Sequence, residues 1–213
     1  MDILRAENLE YSYGSELTLK YPNISCGSGN QLLILGDSGS GKSTLLHLLG
    51  LILPVQKGLV AINGTEIQSL SAKKSSKFRA ENIGLIFQQH HFVKSLNVRD
   101  NLFLANYYAK KTPDKQGLES IAERLEITSL LKKSIFELSG GEMQRIGIAR
   151  ALMNKPKVIL ADEPTSNLDD KNCENVFSLL SESSKEMGAA LIIVTHDQRL
   201  KEKVKTQIQL QVC

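Results

Sequence analysis

Cysteine is scarce and poorly spaced for chemistry. The chain has three, Cys26, Cys173 and Cys213, with no CxxC pair among them. That spacing argues against a zinc site, and the odd thiol fits a reducing compartment. Long apolar runs are lacking too. The most apolar stretch, Leu45 to Val55, carries His47 and Pro54 and is too short to span a bilayer. The N-terminus lacks the apolar core of a signal peptide. Any membrane role must therefore come through a partner. There is no large excess of charge of one sign: the net charge is +3 over 213 residues. This balance neither demands nor excludes nucleic acid or an anionic membrane. With no basic stripe beyond ordinary solvated lysines, nucleic acid is not an expected partner. Internal repeats and low-complexity linkers are also missing, and the length suits one domain with an inserted subdomain.

Against these absences stands Gly36-Asp37-Ser38-Gly39-Ser40-Gly41-Lys42-Ser43-Thr44. It follows the apolar run Leu32-Leu33-Ile34-Leu35 and opens Leu45-Leu46-His47-Leu48-Leu49, the strand–loop–helix setting that a phosphate-binding loop requires. Glycines let successive N–H groups crowd around an anion, and the helix that follows adds the positive end of its dipole. Lys42 would reach the β- and γ-phosphates of a nucleoside triphosphate, and the Ser43 hydroxyl would hold Mg²⁺.

Strand signals appear at Ile3–Leu9 and Leu17–Tyr21, with Tyr11 and Tyr13 in the connection around Gly14 and Ser15. A turn is expected over Ser25–Asn30 and a hairpin at Asn63-Gly64, after the strand Leu59–Ile62. Ser69–Glu81 has helical spacing, with Lys73, Lys74, Lys77 and Arg79 as a solvated face, and Ile83–Phe87 is a further strand. Residues 88–155 change character. Apolar positions there repeat at helical spacing without a strand signal, and Thr112-Pro113-Asp114 breaks one helix and starts another. Buried-strand patterns resume at Lys157–Ala161 and Ala190–Thr195 around a helix from about Asp170 to Met187, which implies a parallel sheet. The tail ends in an edge strand. The expected fold class is α/β: a phosphate-loop NTPase core with a mostly parallel sheet, an N-terminal antiparallel β subdomain, and an inserted helical subdomain. Residues 1–87 and 156–213 form the core, and residues 88–155 the insertion.

Two adjacent carboxylates, Asp162 and Glu163, end one buried strand. Beside a phosphate loop, Asp162 would hold Mg²⁺ and Glu163 would act as general base on the attacking water. A second glycine-rich turn, Ser139-Gly140-Gly141-Glu142, opens a helix. Ser139 and Glu142 complete a capping box, which suffices structurally, yet glycines at a helix start also suit an anion. One nucleotide would use both turns only if the fold, or a dimer, brought them together. His90 and His91 read as plain loop residues, since no partner ligands accompany them.

Taken together, GDSGSGKST, Gln88 after a strand, LSGGE, VILADEP, Ser166-Asn167-Leu168-Asp169 and the strand-end His196 resemble the nucleotide-binding subunit of an ABC transporter. The match covers nearly the whole chain in the family's motif order. LSGG followed within about twenty residues by a strand ending in Asp-Glu is far more specific than a phosphate loop alone. The resemblance implies a head-to-tail dimer, of identical or paired subunits, that sandwiches two ATP molecules. Tyr13 would stack on adenine, with Tyr11 as a rival. Gln88 would contact Mg²⁺ and the water, Ser139, Gly140 and Gly141 would bind the γ-phosphate in trans with Glu142 in the same nucleotide-binding turn, Asp169 would join the two sites, and His196 would contact the γ-phosphate. It further implies ATP hydrolysis that drives integral-membrane permease subunits from the cytoplasmic face of the cell membrane.

Within the family, Ile83–Gln89, Glu142 and DEPTSNLD resemble the branch that serves lipoprotein release, macrolide-type export and cell division. The chain departs from the common pattern in three places. Glu142 replaces the usual Gln, Arg99-Asp100-Asn101 stands where Glu-Asn is more common, and the first hairpin is short. An ATP-dependent regulator of a membrane complex, without transport, fits the same residues. A soluble ABC ATPase acting on nucleic acid is the third possibility; the zinc or coiled-coil insertions usual in that class are missing.

Overall fold

A computed structural model of the chain describes residues 2–14, 17–166 and 168–210; Ser15, Asn167 and Cys213, named above, lie outside them. The first half runs β1 (Asp2–Tyr13), β2 (Leu17–Lys20), β3 (Ile24–Gly27), β4 (Gln31–Leu35), α1 (Lys42–Leu49), β5 (Lys57–Ile62), β6 (Thr65–Glu66), α2 (Ala72–Asn82) and β7 (Ile83–Ile86). The second runs α3 (Val98–Tyr108), α4 (Lys115–Arg124), α5 (Gly140–Leu152), β8 (Val158–Asp162), α6 (Asp170–Met187), β9 (Ala190–Thr195) and β10 (Gln207–Gln209).

The central layer is a parallel sheet in the order β10-β4-β9-β8-β7. Strands covered on both faces need apolar residues throughout, and every residue of β8 and β9 is buried. Alternation along β4 assigns its side chains to two cores. Leu33 and Leu35 pack with α3, α4, α5 and α6, while Leu32 and Ile34 pack with α1 and β1. Pairing of Leu35 with Thr195, Val194 with Asp162, and Ile86 with Ala161 brings the C-terminal strand ends into line. The phosphate loop, His196, the Asp162–Glu163 pair and Gln88 all leave from that edge.

The second sheet is antiparallel, β2-β1-β5-β6, with β3 also on β1. Here the structure extends two expectations. Tyr11 and Tyr13 belong to β1, opposite Leu19 and Leu17, because the alternation that buries Leu9 continues through Tyr11. Ile24 and Cys26 likewise alternate inward, so β3 occupies most of the expected turn, and the reversal narrows to residues 27–30. Arg79 leaves its solvated face, and its guanidinium donates to the Leu51 carbonyl at 2.6 Å.

Between β7 and β8 the described residues form α3, α4, α5 and two 3-10 turns. The entry into α3 is held by one fully buried amide. The Asn101 side chain accepts from Val93 N–H at 2.8 Å and reaches the carbonyls of Val93, Leu96 and Asn97 at 3.0–3.2 Å. It thus fixes the segment joining Gln88 to the helices. Removing it strands several partly buried backbone groups, each worth roughly 1 kcal/mol. Asn101→Ala is expected to lower unfolding free energy by about 2–3 kcal/mol in urea titrations, against little change for the exposed Asp100→Ala.

Candidate active site

β4 delivers its chain at Gly36 into a loop whose backbone only glycine tolerates at two further points. Gly39 and Gly41 have φ of +82° and +83°, and a Cβ at Gly36 would lie 2.5 Å from Ser40 Oγ. Gly41 is the N-cap of α1 and offers no side-chain cap, so the first-turn N–H groups face the loop's hollow. Lys42 is buried to 8% exposure. Its ammonium donates to the carbonyls of Gly36 at 2.8 Å and Asp37 at 2.9 Å. Ser40 Oγ is buried and has no hydrogen-bond partner among the described residues. A buried cation, open N–H donors and an orphaned hydroxyl on one loop fit a polyphosphate.

Across the strand ends, the Ser43 hydroxyl lies near enough to the Asp162 carboxylate to favour its charged form. Burial pushes the Asp162 carboxyl above its ordinary range, opposed by the Ser43 hydroxyl and aided by the neighbouring Glu163 charge. A buried carboxylate beside a hydroxyl, disfavoured as an isolated anion, is a suitable donor set for a hard cation such as Mg²⁺. Glu163 has a left-handed backbone, φ +48°. Thr195 Oγ1 donates to its Oε2 at 2.6 Å, and His196 Nδ1 lies 2.8 Å from Oε1. The His196 backbone N–H adds a third bond at 3.2 Å. The carboxylate is largely buried while the His196 ring is mostly exposed, so the pair stands at the rim of the site.

The other expected residues are placed around this centre. Tyr13 is half exposed, and its hydroxyl lies 3.0 Å from Thr44 Oγ1 on α1. Tyr11 is buried and packs edge-on against it at 4.9 Å. The expected capping box closes the second glycine turn: the Ser139 hydroxyl accepts from Glu142 N–H, and Glu142 Oε2 accepts from Ser139 N–H at 2.7 Å. Donation from both the Ser139 N–H and its hydroxyl to Oε2 holds the Glu142 carboxyl below its usual range. Gly140 and Gly141 are exposed, with open space where a Cβ would stand. No hydrogen bond joins this turn to the phosphate loop among the described residues. Gln88 is exposed, two residues past β7. Asp169 caps α6, accepting from Asn172 N–H at 2.8 Å. His90 stacks on Phe92, and its carbonyl accepts from Arg150 at 2.6 Å.

Sequence reasoning passed over three contacts. Thr195 is fully buried and grips Glu163. Gln144 of α5 donates to the Pro164 carbonyl at 2.8 Å and so ties the LSGGE helix to the carboxylate loop. Asp197 is held by Arg199, whose guanidinium lowers its carboxyl to about 2. A polar residue ending a wholly apolar strand was the available signal for Thr195.

The raised Asp162 carboxyl has a definite sign. A group whose folded value lies above its unfolded one costs stability when ionised, fully at pH above the folded value. Asp162→Asn is therefore expected to raise the nucleotide-free Tm at neutral pH. The gain should fade as pH falls toward the ordinary carboxylate range, which thermal scans across pH would follow.

Known proteins are similar to this chain in sequence and in fold. The family model for "ABC transporter" matches residues 19–166. The lipoprotein-releasing system ATP-binding protein LolD of Idiomarina loihiensis is 39% identical over 209 residues, covering 95% of this chain and 92% of its own. LolD of Shewanella denitrificans is 38% identical over 190 residues, covering 88% and 82%. Among solved structures, the dimeric post-hydrolysis state of the ATP-binding cassette MJ0796, bound to ADP and Pi, superposes with a TM-score of 0.87. It is 30% identical and the match spans 98% of this chain and 94% of that one. The phosphate loop, the paired carboxylates and the parallel sheet that aligns them thus have one explanation: the chain belongs to the ABC transporter family, as an ATP-hydrolysing, ATP-binding subunit.

Proposed function

We propose that two copies of this chain, or this chain and a paired subunit, close head to tail around two Mg·ATP and open again on hydrolysis. The observation that carries this reading is the state of the second glycine turn. Gly140 and Gly141 present bare, exposed backbone at the start of α5, with no bond to the chain's own phosphate loop among the described residues. A partner's γ-phosphate is the ligand that such a helix start suits. On this reading the core comprises residues 1–87 and 156–213, and residues 88–155 act as a helical unit that carries the turn.

Within one site, Gly36, Ser38, Gly39, Ser40, Gly41 and Thr44 form the cradle, and Lys42 exchanges its two carbonyl partners for phosphate oxygens. Ser43, Asp162 and Gln88 would hold Mg²⁺, which supplies charge neutralisation on the phosphates. Glu163 takes a proton from the attacking water through the oxygen nearest His196, and His196 steadies the γ-phosphate. The greater exposure of Tyr13 favours it over Tyr11 as the adenine platform. Ser139, Gly140 and Gly141 reach the partner's γ-phosphate, Glu142 keeps their turn capped, and Asp169 lies at the junction of the two sites.

No helix among the described residues is long and apolar enough to cross a membrane, so a permease would hold the protein at the cytoplasmic face. A cleft of about 980 Å³ between α2, β7 and α3 offers a place for one. Its floor includes Leu85, Val93 and Leu104, and its rim includes Lys73, Lys77 and Lys110. An amphipathic helix with acidic flanks has the complementary chemistry. The likeness to LolD supports a lipoprotein-releasing type of complex as the first to examine.

Sizing chromatography tests the dimer. Glu163→Gln protein is expected to turn over ATP at least about a hundredfold more slowly and to shift from monomer to dimer on addition of Mg·ATP. Gly140→Asp should abolish the shift without unfolding, since its side chain meets open space but sets a negative charge against phosphate. A Glu163→Gln protein that binds ATP tightly yet stays monomeric would count against the sandwich.

A further inference from the structure

Arg199 stands three residues beyond His196 and bonds with every nitrogen of its guanidinium. Nη1 donates to the Leu168 carbonyl at 3.1 Å and to Asp170 Oδ1 at 2.8 Å. Nη2 donates to the Thr165 carbonyl at 3.4 Å and Asp197 Oδ2 at 2.8 Å, and Nε lies 2.9 Å from Asp197 Oδ1. An ordinary surface ion pair would engage one carboxylate. This side chain instead spans the loop after β9 and the loop joining β8 to α6.

The links continue inward. Asp197 Oδ2 also accepts from the hydroxyl of Thr165, a fully buried residue, at 2.7 Å. Asp197 N–H donates to Thr195 Oγ1 at 3.0 Å, and that hydroxyl donates to Glu163 Oε2. One bonded chain therefore runs from the general base through Thr195 and Asp197 to Arg199. It ends on Leu168 and Asp170, the residues on either side of Asp169.

We propose that Arg199, acting through Asp197, is a positioning residue that sets Glu163 and Asp169 in a common frame, so that one subunit's hydrolytic site is aligned with its contact to the other. The inference rests on the dimer reading above. A rigid planar fork is what the geometry requires. Lysine would keep the charge beside Asp197 but lacks the donors to reach the Thr165 and Leu168 carbonyls together.

The test compares full-length wild type, Arg199→Ala and Arg199→Lys in steady-state ATP hydrolysis, with ATP affinity and Tm measured alongside. Both variants are expected to lose roughly tenfold in kcat with ATP affinity within about twofold, because the phosphate loop is untouched. The Hill coefficient in ATP should fall from above one in wild type toward one in both variants. Arg199→Lys turning over like wild type with unchanged cooperativity would overturn the proposal, as would an Ala variant that loses only Tm. Glu163→Gln protein run in parallel separates the two readings. If it fails to dimerise with Mg·ATP, the two-site model falls and this inference with it. If it dimerises while both Arg199 variants keep their kcat, only the inference falls.

Discussion

A buried ammonium at the start of a helix that has no side-chain cap is the constraint on which this structure depends. Lys42 sits at 8% exposure with its ammonium donating to the Gly36 and Asp37 carbonyls and the Asp162 carboxylate near enough to attract it. Burying a cation whose hydrogen bonds go to neutral carbonyls is costly, and among the described residues the buried Ser40 hydroxyl has no partner. The loop can take this arrangement because glycine adopts the left-handed backbone that a side chain would resist. Gly41 needs its left-handed backbone, and a Cβ there would meet the Tyr21 hydroxyl at 2.9 Å. Stability is lost at this point so that an anion finds its donors already aimed, which is electrostatic preorganisation in its simplest form.

The same logic governs the neighbouring strand ends. Asp162 is buried where ionisation is unfavourable, and Glu163 holds a left-handed conformation that costs a non-glycine residue about 1 kcal/mol or more. Both are tolerated because the parallel sheet over-determines them. Glu163 N–H donates to the Val194 carbonyl at 2.9 Å, its carbonyl accepts from Ser166, and its carboxylate is gripped by Thr195 and His196. The strand pairings therefore serve function directly: a one-residue slip between β8 and β9 would separate the base from its holders.

Much of this was legible in the sequence, for physical reasons. Strands covered on both faces must be apolar throughout, so β8 and β9 stood out, and motif residues at their ends had to share one edge. Helix α6 was bounded by its own signals, with Asp169 as cap and Gly188 in left-handed conformation as stop. Amphipathic β1 was harder. Its alternation runs past Leu9 into two tyrosines that polar neighbours disguise as a turn, so their strand position emerged only from pairing with β2. The clasp built by Thr165, Asp197 and Arg199 was invisible because its members are ordinary polar residues about thirty positions apart, joined only by the fold. Gln144 and Pro164 met for the same reason.

The account's central claim is that the phosphate loop is poised for ATP, with Lys42 held on its own carbonyls until phosphate replaces them. A crystal structure of Glu163→Gln protein with Mg·ATP tests this most directly. The account predicts Lys42 Nζ on phosphate oxygens, Ser40 Oγ no longer without a partner, and the Ser139–Gly141 turn of a second subunit against the γ-phosphate. Nucleotide bound elsewhere, with Lys42 still on the Gly36 and Asp37 carbonyls, would contradict it.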